Sequence, residues 1–308
     1  SETAFNIDIS NWDVSNVKTT YAMFLNTTFN QDIGNWDTSN IESMRQMFMY
    51  TPFNQDIGDW DVSKVKNFGQ AFTRTPFDRD ISGWDTRSAT NTESMFQNTP
   101  FNQDISGWNF EKVENSAYMF DRASNFNQNI GLWNVANIKY AQGMFRDAVS
   151  FNQELSNWNT ESLVIAQQMF KGAISFDQNI GSWNVENVTS MDGMFSEITL
   201  SMANYDNILS SWSLQNIQSS VEFDGGDSQY CQSQDERQKM QDVFGWIILD
   251  RGKNDDCDLS DSDRNIALRF NTGGGAVQYN GDNFLADNKE AISNKTINYQ
   301  TEQALIAI

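Results

Sequence analysis

Residues 29–52 read "FNQDIGNWDTSNIESMRQMFMYTP" and residues 53–76 read "FNQDIGDWDVSKVKNFGQAFTRTP", with the same letters at the same offsets. A fixed period of roughly 20–50 residues decides the architecture before any single element is counted, because each repeat is one structural unit that cannot bury its apolar face alone. Trp12, Trp36, Trp60, Trp84 and Trp108 stand 24 apart, and Trp133, Trp158 and Trp183 follow at 25. The Phe that opens each repeat keeps step from Phe5 to Phe176, so eight repeats fill residues 5–200.

The three prolines, Pro52, Pro76 and Pro100, close their repeats just before the next Phe. Proline fixes φ and donates nothing, which marks a turn between coils. Later repeats lengthen by one residue at this corner ("RASN", "DAVS", "GAIS", "EITL"), where an insertion leaves the packed columns in register. Inside a repeat, Trp36 and Thr38 are two apart, a strand step, whereas Ile41, Met44 and Phe48 follow at helical steps. Ser39 and Glu42 have the spacing of a capping box. The expected fold class is a repeat solenoid: parallel strands centred on Trp-Asp/Asn, short helical turns, eight coils of 24 or 25 residues, a C-terminal cap and a β-rich tail.

The string Ile-x-x-Trp-x-Val-x-x-Val resembles the leucine-rich-repeat pattern with aromatic and β-branched substitutions. The whole "FNQDIGNWDTSNIESMRQMF" unit resembles the repeats of BspA-type bacterial surface proteins, and the likeness extends through residue 253. It departs from standard leucine-rich repeats where a ladder Asn would stand, since this chain has Val17, Ile41, Val65, Val113 and Ile138 there. The resemblance implies a surface-exposed or secreted bacterial adhesion module. "NYDNILSSW" through "FGWIILDRGK" resembles the closing segment of that family, and the residues themselves also read as a cap: Trp212 and Phe223 hold core positions, Glu236–Phe244 a helix and Trp246–Leu249 a strand. Residues 1–200 are thus assigned to the solenoid, 201–253 to a degenerate repeat and cap, 254–263 to an acidic linker and 264–308 to the tail. Tyr279, Phe284 and Asp287 lie in a tail stretch that resembles the start of a malectin-like carbohydrate-binding domain.

Cys231 and Cys257 bracket the cap, and with no CxxC and no His for a zinc site they read as one disulfide, the alternative being two reduced buried thiols. A disulfide implies an oxidising compartment, here extracellular or at the bacterial cell surface. "SETAFNIDIS" lacks the pattern of a signal peptide, no run is long and apolar enough to span a membrane, and the sequence reads as an excerpt of a longer exported polypeptide. The net charge of −21 opposes nucleic acid and anionic membranes and favours cations or basic partners.

Enzyme chemistry finds little footing. There is no His, no activated Cys and no phosphate loop, and "NTGGGAV" lacks strand–helix context. Carboxylates recur in every repeat, whereas an active site is local. The candidate binding surface is the outward column Asp13, Asp37, Asp61, Asp85, Asn109 and Asn134, with Leu132 breaking a neighbouring polar column. Each Asp or Asn either caps the following turn or, as Asp, bridges Ca²⁺ with its neighbours. The same choice applies to Asp8, Asp32, Asp56, Asp80 and Asp104. Asn6, Asn30, Asn54, Asn102, Asn127 and Asn152 read as an amide ladder for corner backbone groups. Asp255, Asp256, Asp258, Asp261 and Asp263 are either a second Ca²⁺ candidate or plain solvated linker charge, and they lack the Gly and closing Glu of an EF-hand loop. Three functions follow: adhesion to a protein or glycan on another surface, carbohydrate binding through the tail, or a structural subunit of an extracellular fibre. Oligomeric state is not legible.

Overall fold

The computed structural model describes residues 4–258 and the backbone of Val277–Tyr279 and Asp282–Phe284. It divides into two compact units, Ser1–Asn254 and Asp255–Ile308. In the first, successive coils are joined by isolated parallel bridges running Thr19, Ser43, Asn67, Asn91, Asn115, Tyr140, Ile165 and Ser190. The bridges fall before the Met-Phe pair and not at Trp-Asp, which corrects the expected strand position. The reason is visible in the backbone: the Trp36 N–H bonds Ile33 O (3.1 Å) and the Ile41 N–H bonds Thr38 O (2.9 Å), so two tight turns occupy the stretch read as a strand.

The expected helical turns are corrected too. Residues 44–51 form a run of linked turns, and among the described residues no helix lies within the repeats. Alternate amides serve different partners. Met44, Gln46, Phe48 and Tyr50 donate to Asn67, Gly69, Ala71 and Thr73 O of the next coil (2.9–3.0 Å), while Met47, Met49 and Thr51 donate three residues back within their own coil (3.1–3.3 Å). This alternation needs a left-handed residue every fourth position, and Gln46 (φ 58) and Tyr50 (φ 60) supply it, as Gln70 and Arg74 do one coil on. Left-handed residues stop a helix from propagating and aim the freed N–H groups along the stack.

The interior is built from columns. Phe29, Ile33, Trp36, Ile41, Met44, Met47 and Phe48 and most of their equivalents in neighbouring coils are buried. Phe48 lies flat on Phe53 at 3.8 Å, and Trp36 stacks on Trp60 at 6.3 Å with rings 3° from parallel. Every buried indole of the column also donates to the preceding coil: Trp36 Nε1 to Ile9 O (3.2 Å), Trp84 to Ile57 O (3.1 Å), Trp183 to Leu155 O (3.0 Å). Trp12 lies outside this pattern, half exposed at 50%.

The stack is closed by helix α1 (Met202–Trp212), whose Tyr205, Ile208, Leu209 and Trp212 bury one face at helical spacing. Strand β1 (Glu222–Asp224) pairs in parallel with β2 (Ile247–Leu249), and helix α2 (Gln234–Phe244) precedes β2, ending on left-handed Gly245 (φ 69). Covering the last slice of core is what a terminal cap of stacked repeats must do. Both cysteines, Cys231 and Cys257, are disulfide-bonded. In the second unit Asp255–Asp258 forms a 3₁₀ helix, and β3 (Val277–Tyr279) pairs antiparallel with β4 (Asp282–Phe284).

Trp84 is 3% exposed and stacks on Trp108 at 6.1 Å. Trp84→Ala therefore removes a core ring and an inter-coil hydrogen bond, and is expected to cost about 3–5 kcal/mol; an unaltered thermal melt would contradict the buried column.

Candidate binding surface

The outward Asp/Asn column is built from Asx turns. Asp13, Asp37, Asp61 and Asp85 accept through Oδ1 from the amides of Ser15, Ser39, Ser63 and Arg87 (2.9–3.2 Å). Asn109, Asn134, Asn159 and Asn184 do the same for Glu111, Ala136, Glu161 and Glu186 (2.9–3.3 Å). The hydroxyl and then the amide of the following serine hold the Asp13, Asp37 and Asp61 carboxyls below the usual carboxylate range, and the Arg87 side chain heads the causes at Asp85. Asp13 and Asp61 push Asp37 the other way, but the turn outweighs them. The second column behaves alike: Ser10, Gly34, Gly58, Ser82 and Ser106 donate to Asp8, Asp32, Asp56, Asp80 and Asp104 (2.9–3.0 Å).

The Asn ladder runs between coils. The Asn54 amide donates to Asn30 Oδ1 (3.0 Å), Asp78 N–H to Asn54 Oδ1 (3.1 Å), and Asn102 N–H to Asp78 Oδ1 (3.1 Å). The next residue reinforces it, with Gln55 Nε2 on Asn30 O and Oδ1 (both 3.0 Å) and Arg79 Nε on Asn54 O (2.9 Å). Asn54→Ala leaves the part-buried Asp78 amide without an acceptor, at an expected cost of about 1–3 kcal/mol, whereas Asn54→Asp keeps one. Chemical denaturation that ranks the two variants equally would remove the ladder's role.

Leu132 stands 82% exposed, the most exposed large apolar side chain among the described residues. Among the described residues no three His, Cys, Asp or Glu side chains converge on a metal position. Asp255, Asp256 and Asp258 share the 3₁₀ helix. Asp261, Asp263 and Asp287 lie outside the described residues. Of the sugar-binding candidates, Tyr279 ends β3 and Phe284 ends β4.

Two features escaped the sequence reading. One is the turn-run face of the coils, where Tyr21 (57% exposed) carries Arg45 over its ring at 5.9 Å and Tyr50 carries Arg74 at 5.3 Å. The other is a buried polar cluster in the cap. Asp250 accepts a bidentate pair from Arg237 (2.8 and 2.9 Å) and the Tyr205 hydroxyl (2.6 Å), while the Asp206 carboxylate gathers the amides of Cys231, Gln232 and Ser233 (3.0–3.1 Å). Burial, with Asp250 beside it, pushes the Tyr205 phenol well above its ordinary value, so it serves as a fixed donor. Gly225 is required there, since a Cβ would sit 2.4 Å from the Tyr205 oxygen.

The depressed Asp values fix the sign of a pH effect. A carboxyl whose folded pKa lies below its unfolded one contributes stability above the unfolded value, and that contribution is lost as pH falls through the folded one. The Tm is therefore expected to fall below about pH 4. A variant with Asn at positions 13, 37, 61 and 85 keeps the turns without titrating there, so its acid limb is expected to be shallower. Identical limbs in Tm against pH would show the column is uncoupled from folding.

Among the described residues no helix is long and apolar enough to cross a membrane. No curated protein and no solved structure gives a significant match to the chain. A family model described as "Mycoplasma protein of unknown function, DUF285" matches it four times, over residues 1–76, 25–131, 73–173 and 125–233. The overlapping matches follow the repeats through residue 233 of 308, and the chain belongs to this family.

Proposed function

We propose that residues 5–200 form a leucine-rich-repeat-like solenoid of the BspA type, and that it serves as a non-enzymatic adhesion module at a bacterial surface or in its secreted products. The observation that carries this reading is the division of labour among the columns. Trp, Phe and Met fill the interior, and the Asn, Asp and Gln columns are engaged in turns and inter-coil hydrogen bonds. Variation is left to outward positions such as Leu132, Tyr50 and Arg74, as in a scaffold whose exposed face changes its partner while its frame stays constant. The absence of any His in the sequence removes the commonest acid–base catalyst from consideration. The disulfide supports an oxidising compartment.

A protein or glycan on an opposing surface is the expected partner. The fluorescently labelled chain should bind saturably to intact cells or to matrix-coated plates, and protease treatment of the target should abolish this where the partner is a protein. Binding no greater than that of an unrelated protein of equal net charge would end the adhesion reading. The malectin-like likeness of residues 264–308 supports a second reading, carbohydrate binding through the tail, which a glycan array probed with the chain and with residues 1–258 separates from the first.

A further inference from the structure

The chain carries −21 charges, yet the turn runs of its first three coils are locally basic. Residues 18–28, 42–52 and 66–76 contain Lys18, Arg45, Lys66 and Arg74 against Glu42 alone, and Glu42 is taken by Lys66 at 3.0 Å. Arg45 and Arg74 have no carboxylate partner among the described residues. Each guanidinium instead lies over a tyrosine ring, with Cζ 5.9 Å and 5.3 Å from the ring centres, and both arginines are exposed. The same face of the later coils is closed: Arg122 meets Asp147 (3.4 Å), Arg146 meets Asp121 (2.8 Å) and Lys171 meets Glu197 (3.1 Å).

Apolar side chains share these turn runs with the two unpaired cations. Tyr21, Leu25 and Tyr50 are exposed and Met49 is half-buried. Tyr, Arg and Met are the residues enriched where proteins meet. Tyr50 and Arg74 also sit at positive φ (60° and 56°), in a column where coil seven uses Gly172 (φ 69). A large side chain there costs conformational energy without filling the core.

The geometry points to a second copy of this chain as the occupant, its Asp13–Asp37–Asp61–Asp85 column seated on the Tyr/Arg face of coils one to three. Two observations favour it over a sugar. Arginines cover one face of the Tyr21 and Tyr50 rings, and the cations call for carboxylates. Asp13, Asp37 and Asp61 meet that call, because each turn uses Oδ1 and these side chains are exposed, whereas Asp85 already pairs with Arg87 at 2.8 Å. Arg45 and Arg74 stand at different positions of consecutive coils, so the face offers two cations to a column that carries one carboxylate per coil. Repulsion between the two acidic bodies is screened beyond about 8 Å at physiological salt, while contacts at the patch are not. Where the two copies meet head to tail, each end keeps one unused column, so the contact is heterologous and extends into a chain or closes into a ring. This stands apart from the adhesion reading.

Sedimentation velocity of the full chain across a concentration series at physiological salt tests it. The intact chain should associate as concentration rises. Arg45→Glu/Arg74→Glu and Asp13→Asn/Asp37→Asn/Asp61→Asn/Asp85→Asn should each associate at least about ten-fold more weakly. Matching melts would show both variants are folded, and the Asn set retains the turn acceptors that later coils already use. Mixed together, the first variant still offers its Asp column and the second its Arg face, so the mixture should form a 1:1 complex that grows no further. A monomeric intact chain, variants that associate like the parent, or a mixture that stays monomeric would each overturn the proposal.

Discussion

A backbone amide at the corner between two coils has no acceptor in its own coil, and the fold depends on how it is met. One side-chain oxygen per coil does this: Asn6, Asn30, Asn54, Asp78, Asn102, Asn127 and Asn152 each reach up to the equivalent amide of the next coil (2.9–3.1 Å). Only a short side chain with an acceptor at its first branch reaches, so the position is Asn in six coils and Asp in the other two, 78 and 177. Asp177 carries the ladder into the cap by accepting the Ser201 amide (2.8 Å) just before α1. Because each bond joins equivalent positions, it fixes the offset between coils, and the aromatic columns can stack face to face only at that offset. The added residue of later repeats is confined to the corner beyond the Met-Phe pair, where it disturbs neither set.

The period, the core columns and the amide ladder were legible because each is a repeated letter with a single physical use. The local conformation was not. Linked turns and a helix both bring residues three and four apart onto one side, so Ile41, Met44 and Phe48 have the same spacing in either. What separates them is the sign of φ at every fourth residue, and Gln46, Tyr50, Gln70 and Arg74 give no hint of it. The hint lay in the later coils, where Gly143, Gly172 and Gly193 fall in the same columns with φ of 57–69°, and in Asn26, Asn98 and Asp147, types that tolerate the left-handed region. Reading columns for glycine across coils, and not each repeat by itself, would have exposed the turns.

The candidate surface was half legible. Asp and Asn in one outward column announced Asx turns, since both types accept the same amide. The pairs Tyr21–Arg45 and Tyr50–Arg74 were invisible, because their partners are 24 residues apart in columns that share no common letter. Asp250 and Asp206 were equally silent. Each looks like one more acid in an acidic chain, and only the fold brings Arg237 and Tyr205 to the one and three consecutive amides to the other.

The change from Asp to Asn halfway along the outward column has a local cause. Where the turn begins with Asp13, Asp37 or Asp61, the donor two residues on is Ser15, Ser39 or Ser63, whose hydroxyl also supports the carboxylate; at Asp85 it is Arg87, whose guanidinium pairs with it at 2.8 Å. In the later coils the donors are Glu111, Ala136, Glu161 and Glu186. A carboxylate opening those turns would face a like charge or gain no second donor, and would add to the repulsion already acting along the column. Asn accepts the same amide hydrogen bond and carries no charge. The column thus keeps its geometry throughout and is ionised only where the next side chain but one supports it.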